Sequence, residues 1–229
     1  MPRYSFVLLD ADNTLFDFDK AEERSLRQVL TAYGLPADDD AVARYHRINA
    51  ELWARQDTGE ITRDYLVVER FAALLCALGC SGDPQTLNQA YVEHLSQCAD
   101  MLPGAVRFCR RLSPHCTLAI VTNGIASSQR RRFERSPLKG VIPYLFISEE
   151  LGFHKPQREY FEAVCATLGI ADRRQAVVVG DNLGSDILGG LNAGIDTIWF
   201  NPGHLPRRPE ISPQFEVDSF DVLDQLLLP

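Results

Sequence analysis

The chain has no apolar run of membrane-spanning length, no C-x-x-C pair and no cluster of histidines with cysteines. The first absence excludes a helix that crosses a bilayer. Near the start only Phe6 to Leu9 are continuously apolar before Asp10. That is too short for the apolar region of an export signal, so a cytoplasmic location is expected. The six cysteines stand apart, at 76, 80, 98, 109, 116 and 165. They are expected to be reduced and packed as small apolar side chains, and no thiolate–imidazole set points to zinc. Positive charge is also in short supply. Lys and Arg number 23 against 31 Asp and Glu, a net charge of -8. Such a chain repels nucleic-acid polymers and anionic membranes, while a small anion can bind where a metal ion supplies the missing charge. There is no internal repeat and no low-complexity segment. Gly189, Gly190 and Gly194 lack the Gly-x-Gly-x-x-Gly spacing, which argues against a dinucleotide site.

What remains is an ordinary globular composition. The 229 residues, 45% of them hydrophobic, can bury one large domain, or a medium domain with a smaller companion. Short apolar runs read as buried parallel strands at Tyr4 to Leu9, Thr117 to Val121, Tyr144 to Ile147, Ala176 to Val179 and Thr197 to Phe200. From Pro103 onward they alternate with helical patterns. Pro103 suits a first helical position ahead of Val106, Cys109 and Leu112. Pro156 opens a helix with Tyr160, Phe161, Val164 and Leu168 on one face and Gly169 as its cap. Ile187, Leu188 and Leu191 mark a third, closed by Gly194. A last short strand is expected near Phe215, then a final helix. Alternating strands and helices predict an α/β fold, a doubly wound parallel sheet with helices on both faces.

Between Asp17 and Cys98 the alternation stops. Leu26, Val29, Leu30 and Tyr33 form a helical stripe, and Tyr45, Ile48, Leu52 and Trp53 form a second. Tyr65 to Leu78 is long, apolar and helix-compatible, and Leu87, Tyr91 and Leu95 suggest a fourth helix. A helical module is therefore inserted after the first strand.

In an open α/β sheet, ligands bind beyond the carboxyl ends of the strands. The first strand runs into Asp10-Ala11-Asp12-Asn13-Thr14. If the chain bends at once, both carboxylates reach one ligand. One can attack phosphorus while the other moves protons on the leaving oxygen. The second strand delivers Thr122-Asn123-Gly124, a hydroxyl, an amide and backbone N–H groups suited to phosphoryl oxygens. Lys155 precedes a helix start and can reach an anion there. The fourth strand ends in Gly180-Asp181, with Asp186 following. Hard oxygen ligands at such a point suit Mg²⁺.

These residues resemble the motifs of the haloacid dehalogenase-like (HAD) hydrolase superfamily, over the whole chain. Asp10-x-Asp12-x-Thr14 is similar to its first motif, Thr122 to its second, Lys155 to its third, and Gly180-Asp181 with Asp186 to its fourth. The helical insert is similar to its C1 cap. The resemblance implies a Rossmann-like core from residues 1–16 and 99–229 and a cap from 17–98. It implies that Asp10 is the nucleophile and Asp12 the general acid and base. Thr122 and Lys155 would hold the phosphoryl group, and Mg²⁺ would lie on Asp10, the Asp12 carbonyl and Asp181, with Asp186 close by. Within the superfamily, Asp10 to Asp19 is similar to the start of bacterial pyrimidine 5′-nucleotidases. So are Asn49-x-x-Leu52-Trp53, Gly59 to Thr62 and Ser185 to Gly190.

The expected activity is thus Mg²⁺-dependent hydrolysis of a small phosphate monoester, a nucleoside 5′-monophosphate, by a monomer or homodimer. Asn49 and Trp53, one helical turn apart, are expected to contact the base. A sugar-phosphate or phosphoglycolate phosphatase shares the same core, and a silent binding protein on this fold is the alternative outside enzymology. Arg130-Arg131-Arg132 reads as a solvated helix face, and Asp38-Asp39-Asp40 as a helix N-terminus.

Overall fold

In a computed structural model, residues 3–228 are described. The chain divides into two compact units, Met1–Asp17 with Ala99–Pro229, and Phe18–Cys98.

The first unit is built on six parallel strands: β1 (Phe6–Leu9), β2 (Thr117–Thr122), β3 (Tyr144–Ile147), β4 (Ala176–Gly180), β5 (Asp196–Phe200) and β6 (Phe215–Val217). Their order is β3-β2-β1-β4-β5-β6. The apolar runs form strands because helices cover both faces. Leu9, Ile120, Val177 and Phe200 pack in one core, and Leu8, Val121, Val178 and Phe161 in another. The chain winds outward from β1 in one direction and from β4 in the other. The two central strands therefore part at their carboxyl ends, the place where such sheets bind ligands.

The second unit holds four helices, α1 (Phe18–Ala32), α2 (Asp39–Asp57), α3 (Arg63–Leu78) and α4 (Pro84–Ser96). Asp38 caps α2 by accepting from the Ala41 N–H at 2.9 Å, so the acidic triplet opens a helix. Leu26, Val29, Tyr45, Phe71, Leu74 and Tyr91 fill the centre. A carboxylate lies within it: Glu22, 3% exposed. It accepts from Asn49 Nδ2 at 2.8 Å and Tyr91 Oη at 3.2 Å, and pairs with His46 Nδ1 at 2.6 Å. Buried charge is tolerated because three side chains from two other helices meet it.

The hydrogen bond to Glu22 raises the His46 pKa, helped by the charges of Glu22, Asp19 and Glu23 and opposed by burial. A histidine pKa raised on folding adds stability below its ordinary value of about 6.5, and the gain fades as pH rises through the raised value. His46→Gln should therefore lower the melting temperature at pH 6 and much less at pH 9. An equal drop at both pH values would show that only packing is lost.

Two proline-based helix starts in the first unit are displaced. Pro103 lies outside α5 (Ala105–Leu112), whose N-cap is Gly104 at φ 96°. A side chain is disfavoured at that φ, and Gly104 also lies against Phe220, so the turn belongs to the glycine. Pro156 likewise precedes the helix Arg158–Leu168 by two residues.

Candidate active site

The site starts with a bend after β1. Asp10 continues the strand by donating its N–H to Val179 O at 2.8 Å. Asn13 then takes φ 59°, a left-handed conformation that asparagine tolerates. The Leu15 and Phe16 N–H groups return to Ala11 O at 2.9 and 2.8 Å. This tight wrap puts Asp10 and Asp12 at the same strand end. The Thr14 hydroxyl, fully buried, accepts the Asp181 N–H at 3.1 Å and ties the loop to the end of β4. The Trp199 indole N–H donates to Asp181 O at 2.7 Å and holds that end from the β5 side.

Lys155 lies at the centre, 2% exposed. Its ammonium donates to Asp10 Oδ1 and Asp186 Oδ1, each at 2.6 Å, and to Val121 O at 2.9 Å. The Asn123 side chain holds the Lys155 backbone on both edges. Its Nδ2 donates to Lys155 O at 2.8 Å, and its Oδ1 accepts the Lys155 N–H at 2.9 Å. Asn123, expected against substrate, thus has its amide engaged in positioning the lysine. Thr122, 1% exposed, turns its Oγ1 to the Gly124 N–H at 3.0 Å.

Asp10, Asp181 and Asp186 each offer an oxygen, all within 4.8 Å of one another. Burial first, then the Asp186 charge, push the Asp10 carboxyl upward, with Lys155 pulling the other way. Asp181 is pushed well above the ordinary carboxylate range by burial and by the charges of Asp10 and Asp186. For Lys155, burial opposes the ammonium, but Asp10 and Asp186 outweigh it and raise its pKa. Three carboxylates against one ammonium leave surplus negative charge among hard oxygen donors. That donor set fits a divalent cation such as Mg²⁺.

Asp186 reaches the cluster across a glycine. A Cβ on Gly180 would lie 2.3 Å from Asp186 Cγ. The Asn182 N–H donates to Asp186 Oδ2 at 3.1 Å and fixes the other oxygen. Gly180→Ala should push Asp186 off Lys155 and lower kcat by roughly 10²-fold, since a shift near 1 Å is costly in a catalytic constellation. Steady-state kinetics check this; a kcat close to the parent's would show that Asp186 need not be held there.

A helix not expected at the site, α6 (Ala126–Arg135), also reaches it. Arg132, expected on a solvated face, is 0% exposed. Its Nη1 pairs with Asp12 Oδ1 at 2.5 Å, and its guanidinium lies 4.8 Å from the Phe16 ring centroid. Gln129 Nε2 donates to Asp12 Oδ2 at 2.6 Å. The usable signal was the spacing: 129 and 132 share one helix face directly after the Thr122 loop.

The cap candidates belong to the helical unit. Asn49 is 5% exposed with its Nδ2 on Glu22. Trp53 is half-buried, with the Arg63 guanidinium 5.7 Å from its ring centroid. Among the described residues no helix is long and apolar enough to cross a membrane.

Parallel strand ends around a carboxylate–lysine cluster describe a hydrolase core, and residues 7–200 match the model of the haloacid dehalogenase-like hydrolase family. The chain belongs to that family. It is 37% identical to the putative HAD-hydrolase YfnB of Bacillus subtilis, covering 99% of this chain and 97% of that one. It is 33% identical to the pyrimidine 5′-nucleotidase YjjG of Escherichia coli, covering 98% of each. It is 38% identical to the pyrimidine 5′-nucleotidase PynA of Streptococcus pneumoniae, covering 97% and 95%. A crystal structure of YfnB bound to magnesium superposes with a TM-score of 0.95 at 36% identity, over 99% of this chain and all of that one. The Rossmann-like HAD fold read from the sequence is borne out.

Proposed function

We propose that the protein is a Mg²⁺-dependent phosphatase of nucleoside 5′-monophosphates that works through an aspartyl-phosphate on Asp10. The observation that carries this is the Lys155 ammonium held at 2.6 Å from both Asp10 and Asp186, with Asp181 completing the carboxylate set. In the first step an Asp10 carboxylate oxygen attacks phosphorus. The phosphorus–oxygen bond of the ester breaks, and the leaving oxygen takes a proton from Asp12. In the second step Asp12 takes a proton from water as the water oxygen attacks phosphorus. The bond to Asp10 breaks and phosphate leaves. Lys155 and the Thr122 hydroxyl hold the phosphoryl oxygens. Asp10, the Asp12 carbonyl and Asp181 would hold Mg²⁺, with Asp186 beside them, and bound metal offsets charge on the phosphoryl group.

The nucleotide reading rests on the similarity to YjjG and PynA and on one face of α2. Asn49, Trp53 and Gln56 follow one another a helical turn apart. Asn49 Oδ1 and Gln56 Oε1 are buried with no hydrogen-bond partner among the described residues. An indole with amide side chains one turn away on the same face offers stacking and hydrogen-bonding groups to a base, and polar recognition discriminates strongly because a wrong ligand leaves buried groups unpaired. The test is a screen of nucleoside 5′-monophosphates, sugar phosphates, phosphoglycolate and p-nitrophenyl phosphate, with Mg²⁺ and with a chelator. Nucleotides should give the highest kcat/KM, and the chelator should abolish turnover. In the same screen, Asn49→Ala and Trp53→Ala should change the ranking among nucleotides and spare the aryl ester. Equal losses on both would assign these residues to the packing of the helical unit. A sugar phosphate at the top of the ranking would overturn the nucleotide reading while leaving the phosphatase reading intact.

A further inference from the structure

The general acid of the proposed reaction does not stand alone. We infer that Arg132 and Gln129 of α6 are positioning residues that aim the Asp12 carboxylate, and that Gly124 leaves the room Gln129 needs to do so. This rests on the phosphatase reading of Asp10 and Asp12.

A carboxylate at a loop has a free rotation about its last bond. Here Arg132 Nη1 takes Oδ1 and Gln129 Nε2 takes Oδ2, one donor for each oxygen. Two donors on opposite oxygens fix the carboxylate plane. Each oxygen offers about two lone-pair directions, so a direction remains on each to carry or accept the catalytic proton. Both donors are buried. Arg132 is 0% exposed and Gln129 3%. The guanidinium also lies against the Phe16 ring, on the same loop as Asp12. A guanidinium buried to that degree needs an acceptor, and one Asp12 oxygen supplies it whether or not the other oxygen carries the catalytic proton.

Gly124 gives an independent reason. A Cβ there would lie 2.2 Å from Gln129 Nε2 and 2.8 Å from Gln129 Cδ. Its φ is not in the left-handed region, so the backbone itself accepts alanine. What excludes a side chain is the path of Gln129 toward Asp12. The three residues Thr122-Asn123-Gly124 thus differ in what they contribute. Thr122 places a hydroxyl at the strand end, Asn123 clamps Lys155, and Gly124 leaves the gap through which Gln129 reaches Asp12.

If these groups act through Asp12, their loss should be felt where a leaving oxygen needs a proton. A nucleoside 5′-monophosphate leaves as an alkoxide and depends on the acid. p-Nitrophenyl phosphate leaves as a stable phenolate and does not. The parameter to read is kcat/KM, which covers the steps up to cleavage of the ester. Arg132→Met, Gln129→Met and Gly124→Ala should each lose roughly 10- to 100-fold on the nucleotide and less than about threefold on the aryl ester, within the range that general acid catalysis supplies. On an Asp12→Asn background the same substitutions should cost less than about twofold, since interacting residues are non-additive. Gln129→Met and Gly124→Ala remove no charge, so they carry the test if Arg132→Met does not fold. Equal losses on both esters, or the full loss repeated without Asp12, would overturn the proposal and leave α6 a structural helix. If Asp12→Asn itself fails to separate the two esters, the acid role of Asp12 falls and this proposal with it. The nucleophile role of Asp10 is then still open to its own test.

Discussion

Asp10→Asn should lower turnover by at least about 10³-fold, because a carboxamide is a far weaker nucleophile and cannot form the acyl phosphate. The same change should not unfold the protein. Asp10 is 6% exposed, and its carboxyl is raised by burial and by the Asp186 charge. The fold therefore resists the charged form in the absence of metal, and a neutral side chain of the same shape removes repulsion. The amide oxygen can still accept from Lys155. In metal-free buffer the melting temperature should match or exceed that of the parent. Activity within tenfold of the parent, in a preparation free of deamidation, would remove Asp10 from the mechanism. A collapse of the melting temperature would mean that the residue holds the fold, and the kinetic loss would then say nothing about nucleophilicity.

Lys155→Met should have the opposite signature, losing both activity and stability. The ammonium lies between Asp10 and Asp186 and also holds Val121 O. Removing it leaves buried carboxylates facing one another, and breaking a buried pair from one side costs about 3–5 kcal/mol. For a chain of this size that lowers the metal-free melting temperature by roughly 10 °C. Turnover should fall by about 10²- to 10³-fold or more, as when a single transition-state donor is removed. Mg²⁺ should raise the melting temperature of the variant by more than it raises the parent's, since the metal then meets more unbalanced negative charge. An unchanged metal-free melting temperature would contradict the charge balance described for the cluster.

The strands and the residues at their ends were legible because each depends on short-range pattern. Ala176 to Val179 is short, apolar and mostly β-branched, as a buried strand requires, and a carboxylate just past Gly180 then lies at the sheet's carboxyl edge. Arg132 was illegible for the opposite reason. A run of three arginines is ordinarily solvated, and its partner Asp12 lies 120 residues away in the sequence. Only the fold brings the two together. Asn123 shows a subtler limit. Its position after β2 was readable, but nothing local says that its amide turns to the Lys155 backbone rather than outward. Pro103 shows how a sound rule is outweighed. Proline suits a first helical turn, yet the positive φ of Gly104 sets the boundary further on. The helical unit was readable as four helical segments, but Glu22 within it was not, because a buried carboxylate is paired by residues on two other helices.

The claim on which the rest depends is that phosphate passes through a covalent bond to Asp10. Acid quench of the enzyme during turnover, followed by borohydride, converts an aspartyl-phosphate to homoserine, which peptide mass spectrometry locates. The measurement is best made on Asp12→Asn with p-nitrophenyl phosphate and Mg²⁺. The good leaving group lets the first step proceed, and the missing base slows the second. Homoserine at position 10 and an accompanying burst of p-nitrophenolate are expected. A burst with Asp10 unmodified, or with homoserine at another carboxylate, would contradict that claim.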